Sequence, residues 1–169
     1  YLVKHLAIAT QLKDYEIVEY ANEKWLDVII TDHHNVPEKI PNAIAVLNPK
    51  RSDCNYPFSW IAWVWVAFKL ISALVVEFFP DENDRNKYLK ETLDIVALWT
   101  VADCMELVDE NRIIVKQWLK QIKNSRSKWI AKLIEDKLEY DLDADIFWFL
   151  IWQKINAAGR LSTPYKAVN

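Results

Sequence analysis

Glycine is nearly absent from this chain, and that absence restricts what the chain can fold into. The 169 residues include 1 glycine and 9 tryptophans. An average usage of about 7% predicts about a dozen glycines in a chain of this length. Turns in an α/β domain require residues with positive φ, a backbone region that glycine enters without steric cost. Two interpretations follow: an almost purely helical architecture, or glycines that have been replaced.

The order of hydrophobic segments predicts an α/β fold. Residues 14–24 place apolar side chains at helical spacing. Apolar runs typical of buried parallel strands occur at residues 5–10, 26–31 and 43–47. Later helices are predicted from residue 58 onward, including segments at 111–122, 127–138 and 144–155. We therefore expect a doubly wound, mostly parallel sheet flanked by helices, with a mainly helical C-terminal half.

Three polar residues follow the second predicted strand directly. Asp32, His33 and His34 come after Thr31, and open α/β sheets place their ligand groups at the carboxyl ends of strands. Imidazole and carboxylate groups together suit manganese-like or zinc-like ions. The same spacing fits a turn that Asp32 caps while both histidines face water. The residues alone leave the metal site and the solvated turn as equal alternatives.

Composition and charge exclude several classes of protein. The 52% hydrophobic and 27% charged residues are typical of a globular domain rather than a disordered chain. The net charge of −3 argues against general polyanion binding, so any nucleic-acid contact must come from local basic groups. The N-terminal residues lack the pattern of a signal peptide. Because Cys54 and Cys104 show no zinc-type spacing, we expect a reducing, cytoplasmic location.

One apolar segment has the length of a membrane span. Residues 60–79 contain only two charged residues, Lys69 and Glu77. Two charges are costly within a bilayer, and a helix buried inside a globular fold shows the same pattern. We predict a buried helix and no membrane partner.

A group of lysines lies farther along the chain. Lys116, Lys120 and Lys123 share one face of a predicted helix. A DNA backbone would fit such a face, but solvated surfaces look identical in sequence. The solvated face is the preferred interpretation at this point.

Five ordered motifs resemble RecJ-type exonucleases, the single-strand-specific members of the DHH phosphoesterase superfamily. The motifs are VIITDHHNVPEKIPNAIAVLNPKR, CNYPF, IAxVxVAFKL, ALxTVADCMEL and QKINAAGRL. The resemblance covers nearly the whole chain from about residue 14 to 165. Other enzymes of the superfamily share the DHH triplet but are less similar in the segments that follow it. The resemblance implies that residues 1–169 form a partial DHH domain, without the N-terminal aspartate motif and the downstream domains.

The resemblance also implies a phosphodiesterase site that holds two Mn²⁺ or Mg²⁺ ions. His33 and Asp103 are the implied ligands of one ion. Asp32 is implied to hold the loop and orient His33, and His34 to face the scissile phosphate or the network around it. Two such ions activate water and stabilise the leaving oxygen. Phosphate-binding roles are implied for Arg160, Asn156 and Lys154.

One departure from the family pattern affects this metal site. Related sequences carry an aspartate about two dozen residues before the first histidine, where this chain has Ala9 or Thr10. Asp14, the nearest carboxylate, is typical of a helix start. A two-ion centre without its bridging ligand binds metal weakly, so we expect this chain alone not to be an active nuclease. Without the resemblance, a helix-capping carboxylate is the preferred interpretation of Asp103, and a surface ion pair that of Arg160.

The tryptophans coincide with glycine positions of the related sequences. Eight of them do so, with Trp60 ambiguous: Trp25, Trp63, Trp65, Trp99, Trp118, Trp129, Trp148 and Trp152. Overpacking a core costs about 1–3 kcal/mol per site, and eight such changes rival the whole stability of a domain, about 5–15 kcal/mol. We favour the hypothesis that UGA codons meaning glycine were translated as tryptophan. The alternative is a genuine tryptophan-rich variant whose aromatic rings stack on bases.

Two classes of function remain open. The first is the metal-dependent phosphodiesterase domain of a 5′-to-3′ single-stranded-DNA exonuclease in DNA repair or recombination, with other repair proteins as candidate partners. The second is a non-catalytic DHH-like module that binds DNA or a replication partner, and the missing carboxylate at Ala9 or Thr10 is what this module predicts. Another DHH enzyme, one that hydrolyses short oligonucleotides or cyclic dinucleotides, is a further alternative.

Overall fold

The computed structural model describes four residues near the C-terminus and three longer segments. These are residues 6–9, 15–124 and 128–135, with residues 143, 145, 148 and 149. The chain forms two units, Tyr1–Leu74 and Val75–Asn169. The three predicted phosphate-binding residues, Lys154, Asn156 and Arg160, lie outside the described residues, as does most of the helix predicted over 144–155.

The first unit contains a three-stranded parallel sheet. Its elements are β1 (Leu6–Ala9), α1 (Tyr15–Glu23), β2 (Asp27–Thr31) and β3 (Ala45–Leu47). The strand order is β1-β2-β3, with both pairs parallel. Ala9 at the end of β1 pairs with Ile30, and Thr31 at the end of β2 pairs with Leu47. The prediction of an α/β fold with a parallel sheet is confirmed, although β3 is shorter than the apolar run at 43–47.

The core of this unit lies between α1 and the central strand. Val18 and Ala21 on α1 are buried, as are Val28 and Ile30 on β2. Burying a side chain of valine or isoleucine size contributes about 1.5–3 kcal/mol. The alternating side chains of β2 and the apolar face of α1 therefore hold the strand in one register, since a shift by one residue would expose Ile30.

Helix α1 ends in a left-handed residue that is not glycine. The amide of Leu26 donates to the carbonyl of Ala21 at 2.9 Å, and the amide of Trp25 donates to the carbonyl of Asn22 at 3.0 Å. These two bonds form a Schellman motif, whose left-handed position is usually glycine. Trp25 occupies that position with φ of 58° and is 94% exposed. The backbone at this residue has the conformation that glycine adopts most easily.

The remaining elements are helical. They are α2 (Trp63–Phe78), within which the boundary between the units falls, α3 (Glu82–Ala102), α4 (Asp109–Gln121), a 3₁₀ turn (Ile122–Asn124) and α5 (Lys128–Ile134). The helices predicted at 111–122 and 127–138 correspond to α4 and α5. Within the part of the chain that the structure describes, no helix combines the length and the apolar character that crossing a membrane requires.

The second unit buries the end of α3 and one face of α4. Helix α3 begins after Asp81, whose carboxylate accepts from the amides of Asn83 at 2.8 Å and Asp84 at 3.1 Å. Such a cap stabilises a helix start by about 0.5–2 kcal/mol. The buried residues are Val96, Ala97, Leu98, Thr100, Val101 and Ala102 on α3, and Asn111, Ile114, Val115 and Trp118 on α4. The exposed face of α4 is therefore fixed by the packing of the opposite face.

Candidate metal centre

The triplet Asp32-His33-His34 leaves β2 at the carboxyl edge of the sheet. The amide of Asp32 donates to the carbonyl of Leu47 at 3.0 Å and so extends the pairing of β2 with β3. Oδ1 of Asp32 accepts from the amides of His33 at 2.6 Å and His34 at 3.0 Å. Nδ1 of the His34 ring lies 2.6 Å from the same oxygen. Asp32 is thus the residue around which this turn is built.

Burial explains why so many contacts converge on Asp32. The residue is 1% exposed, and an isolated buried carboxylate costs several kcal/mol of desolvation free energy. Hydrogen bonds from backbone amides to an ionised carboxylate are among the stronger ones in proteins. The three contacts offset the cost of burial and hold the backbone of His33 and His34 in one conformation.

The two histidines differ in their exposure to water. His33 is 7% exposed, whereas the side chain of His34 is 60% exposed. Their ring centroids are 4.5 Å apart in an edge-to-face arrangement. A turn with both histidines facing water therefore does not describe this structure. The His33 side chain is buried, whereas the ring of His34 faces solvent and keeps its contact with Oδ1 of Asp32.

Asn48 is a site residue that sequence reasoning missed. Its side chain is buried and follows β3 at the same edge of the sheet. Nδ2 donates to the carbonyl of His34 at 2.9 Å, and Oδ1 accepts from the amide of Lys50 at 2.8 Å. Asn48 thereby ties the loop after β3 to the turn after β2. The Asn-Pro pair at the end of a predicted strand was the available sequence indication.

The loop that follows Asn48 is fixed by an arginine. Arg51 donates to both carboxylate oxygens of Asp53, from Nε at 2.8 Å and from Nη2 at 2.6 Å, and from Nη1 to the carbonyl of Val46 at 3.1 Å. The hydrogen bonds to Arg51 lower the pKa of Asp53 below its ordinary value. The same pair raises the pKa of Arg51. This geometry gives the loop a defined shape beside the turn.

A cavity of about 390 Å³ adjoins this loop. Asn48, Arg51, Tyr56 and Lys69 are among the residues that line it. The Lys69 ammonium lies 5.2 Å from the centre of the Tyr56 ring, within the range of a cation–π interaction. Small-molecule sites measure about 300–1,000 Å³, so this cavity has the size of a small-molecule site. Asn48 in its lining contacts the Asp32 turn through the carbonyl of His34.

The second predicted ligand, Asp103, lies at the end of α3. It is the C-cap residue, with φ of −79° and ψ of 4°, and its amide donates to the carbonyl of Trp99 at 2.9 Å. A carboxylate at a helix C-terminus faces the negative end of the helix dipole, which is unfavourable by about 0.3–1 kcal/mol. Helix stability therefore does not explain an aspartate here. His33 and Asp103 belong to different units, and their shared ion stays a prediction.

The described residues do not complete a metal site. Among them, no group of three or more His, Cys, Asp or Glu side chains is arranged to hold an ion. Ala9, where related sequences are expected to carry an aspartate, lies at the same carboxyl edge of the sheet as the Asp32 turn. Ala9 pairs with Ile30, two residues before Asp32. The donor types near the turn, imidazole and carboxylate, fit manganese. The number of these donor side chains is smaller than a complete metal site requires.

Comparison with known proteins assigns the family. The sequence profile of the DHH family, N-terminal domain, matches residues 6–100. The chain belongs to the DHH family. The match includes the sheet and the Asp32-His33-His34 turn, which corresponds to the triplet after which the family is named.

Sequence relatives of this DHH domain are exonucleases. It is 34% identical over 168 residues to the single-stranded-DNA-specific exonuclease RecJ of Bacillus subtilis, covering 97% of the chain and 20% of that protein. It is 37% identical over 152 residues to the RecJ of Escherichia coli, covering 85% of the chain and 26% of that protein. The chain thus spans about a quarter or less of these relatives. The resemblance to RecJ predicted from the five motifs is confirmed.

Solved structures give the same result for the fold. A crystal structure of exonuclease RecJ bound to manganese matches with a TM-score of 0.76 at 27% identity, covering 96% of this chain and 40% of that one. The crystal structure of RecJ from Thermus thermophilus in complex with Mn²⁺ matches with a TM-score of 0.73 at 27% identity, covering 96% and 24%. The DHH domain is therefore similar in structure to proteins that bind a divalent metal.

Proposed function

We propose that this chain is the phosphodiesterase domain of a metal-dependent exonuclease that degrades single-stranded DNA from its 5′ end. The observation that carries the proposal is the Asp32 turn: a buried carboxylate holds two histidines at the carboxyl edge of a parallel sheet. Relatives named as single-stranded-DNA-specific exonucleases support this substrate. They do not favour the alternatives of a short-oligonucleotide or cyclic-dinucleotide hydrolase. A cytoplasmic location and other DNA-repair proteins as partners belong to the same proposal.

Each residue of the site has a proposed role. His33 and Asp103 bind one Mn²⁺ or Mg²⁺ ion of a two-metal centre, and Asp32 keeps the turn rigid so that the His33 ring stays in place. His34, which Asp32 holds at the surface, faces the scissile phosphate. When bound, the metal ions supply an activated water and stabilise the charge of the leaving oxygen. The cavity that Asn48 helps to line offers space for a nucleotide.

The C-terminal residues complete the proposed site. Arg160 binds a phosphate with its planar guanidinium, which suits two oxygens at once. Asn156 and Lys154 contribute further phosphate contacts. These three assignments come from the resemblance of QKINAAGRL to the related exonucleases.

We further propose that the chain alone binds metal weakly and does not cleave DNA at a useful rate. Ala9 ends β1 beside Ile30, at the strand end where related sequences carry an aspartate. Alanine offers no ligand atom there. A carboxylate introduced at residue 9 is therefore expected to strengthen metal binding without changing the fold.

Manganese binding tests the proposal directly. Free Mn²⁺ is titrated and quantified by electron paramagnetic resonance for the parent chain, His33→Ala and Ala9→Asp. We expect His33→Ala to weaken binding at least about tenfold, the lower end of the range for loss of supporting metal contacts, and Ala9→Asp to strengthen it. Ala131→Asp is the matched control, because it adds the same charge at an exposed position of α5.

Cleavage separates the enzyme from the non-catalytic module. Single strands labelled at the 5′ end are incubated with Mn²⁺ and each variant, and release of labelled mononucleotide is followed. We expect Ala9→Asp to release label faster than the parent, and Ala131→Asp to match the parent. If His33→Ala binds Mn²⁺ as the parent does, the metal assignment is wrong. If Ala9→Asp binds Mn²⁺ tightly and releases no label, the module that only binds DNA is the better description.

A further inference from the structure

Basic residues are concentrated in one segment of this acidic chain. Residues 111–134 contain seven of the 21 lysines and arginines and none of the 24 aspartates and glutamates. The chain as a whole carries a net charge of −3. This segment covers α4 after its acidic first turn, which holds Asp109 and Glu110, and also covers the 3₁₀ turn and α5. Positive charge is therefore concentrated locally on the second unit.

The cations of α4 form a row on its exposed face. Arg112, Lys116 and Lys120 are each four residues apart and exposed, and Lys123 follows in the 3₁₀ turn. We call these four residues the basic ridge. Four residues of α-helix rise about 6 Å, so the charges are evenly spaced. The opposite face of α4 is buried, which keeps the ridge turned outward.

The fold gains little from this arrangement. Like charges four residues apart destabilise a helix. Within the described residues, none of the four ridge cations forms an ion pair with a carboxylate. Lys132 shows the contrast, because it pairs with Glu135, which raises the pKa of Lys132. The four ridge cations are therefore available to bind an anion from outside the chain.

We propose that the basic ridge binds the phosphate backbone of single-stranded DNA. This inference rests on the proposed function and names the path of the substrate across the second unit. Evenly spaced cations suit a chain of phosphates, and their binding releases counterions from the strand. Ile113, 61% exposed beside the ridge, offers an apolar contact for a base. A membrane surface is a poorer fit, because a helix that lies on lipid inserts its apolar face, and that of α4 is covered by protein.

Salt dependence of DNA binding tests the proposal. Anisotropy of a labelled oligothymidylate is measured in EDTA between about 50 and 200 mM salt, and the slope of log affinity against log salt is determined. Lys116→Gln/Lys120→Gln is expected to reduce this slope by about 1.4, since each contact on a single strand contributes about 0.7. If electrostatic binding vanishes near 1 M salt, this slope corresponds to about 25-fold weaker binding at 0.1 M.

A matched control separates position from net charge. Lys87→Gln/Lys90→Gln removes two exposed lysines from α3 of the same unit, where Asp84, Glu91 and Asp94 lie at helical spacing. We expect its slope to stay within about 0.3 of the parent, less than half of one contact. Circular dichroism confirms that both variants fold. The proposal would be overturned if both variants lost the same amount of slope, or if the slope of the α4 variant were unchanged from the parent.

The result is independent of cleavage. Binding is measured without metal, so an inactive metal site leaves the slopes unaffected. If the α4 variant loses slope, but the Ala9→Asp chain binds Mn²⁺ tightly and releases no nucleotide, the ridge proposal stands and the exonuclease proposal is wrong. If the Ala9→Asp chain degrades DNA while the α4 variant binds DNA like the parent, only the ridge proposal is wrong.

Discussion

Replacing Trp25 by glycine is expected to stabilise the first unit. Trp25 has φ of 58° at the left-handed position of a Schellman motif. A residue with a Cβ atom costs about 1–2 kcal/mol in that conformation. The side chain is 94% exposed, so little packing is lost with the indole. Glycine also increases the conformational entropy of the unfolded chain, which lowers the free energy of unfolding by about 0.4–1 kcal/mol. The expected net increase in the free energy of unfolding is therefore about 0.5–1 kcal/mol.

Urea unfolding followed by circular dichroism measures this gain. Trp25→Ala is the decisive comparison, because it removes the same ring but keeps the Cβ atom. We expect Trp25→Ala to be about as stable as the parent and Trp25→Gly to be more stable than both. The reasoning from backbone conformation is refuted if the alanine and glycine variants unfold at the same urea concentration, or if glycine lowers the midpoint. Inspection of the codon at residue 25 adds an independent check, since UGG would end the mistranslation hypothesis.

Three further outcomes follow from the structure. Trp118 is 3% exposed at a position where related sequences carry glycine, so the favoured mistranslation hypothesis predicts that Trp118→Gly raises the free energy of unfolding in urea by relieving about 1–3 kcal/mol of overpacking. A loss of about 4–6 kcal/mol, from core contacts and helix propensity together, would show instead that this tryptophan is genuine and well packed. Asn48→Ala is expected to cost about 1–3 kcal/mol by leaving the carbonyl of His34 without this buried donor, and an unchanged unfolding midpoint would contradict that role. The lowered pKa of Asp53 means that its pair with Arg51 stabilises the fold above the ordinary aspartate pKa of about 3.9 and loses this contribution as the pH falls through the lowered value. The stability difference between the parent and Asp53→Asn should therefore be present at neutral pH and vanish in strong acid, and a difference that grows on acidification would contradict it.

The part of the site that lies close together in sequence was predictable. A β-branched run followed at once by Asp32, His33 and His34 identifies a strand end with polar groups, whatever the remaining fold. The short side chain of aspartate and its tendency to bond neighbouring amides predict the turn. What spacing left open was the exposure of each histidine, because burial depends on segments far away in the chain.

Asn48 and Trp25 show two limits of sequence reasoning. Asn48 contacts the carbonyl of His34 across 14 positions of sequence, a tertiary contact that no local pattern encodes. Helix α1 ends at residue 23, but the glycine that usually marks such an end is missing from the sequence. The prediction for α1 therefore relied on its apolar spacing, on Asp14 as a typical helix start and on the lysine at its end. Asp103 was found through the resemblance, since a single aspartate after a helix has many ordinary explanations.

The turn at Asp32 also bears on which acidic residue the motif can use. One carboxylate oxygen reaches the amides of the next two residues and the ring of the second, which is possible because a single methylene separates the carboxylate from the backbone. Glutamate has the same charge, but its additional methylene would carry the oxygens past both amides. The length of the side chain therefore favours aspartate over glutamate as the first residue of this triplet. A homologous chain with glutamate at that position would need a differently shaped loop.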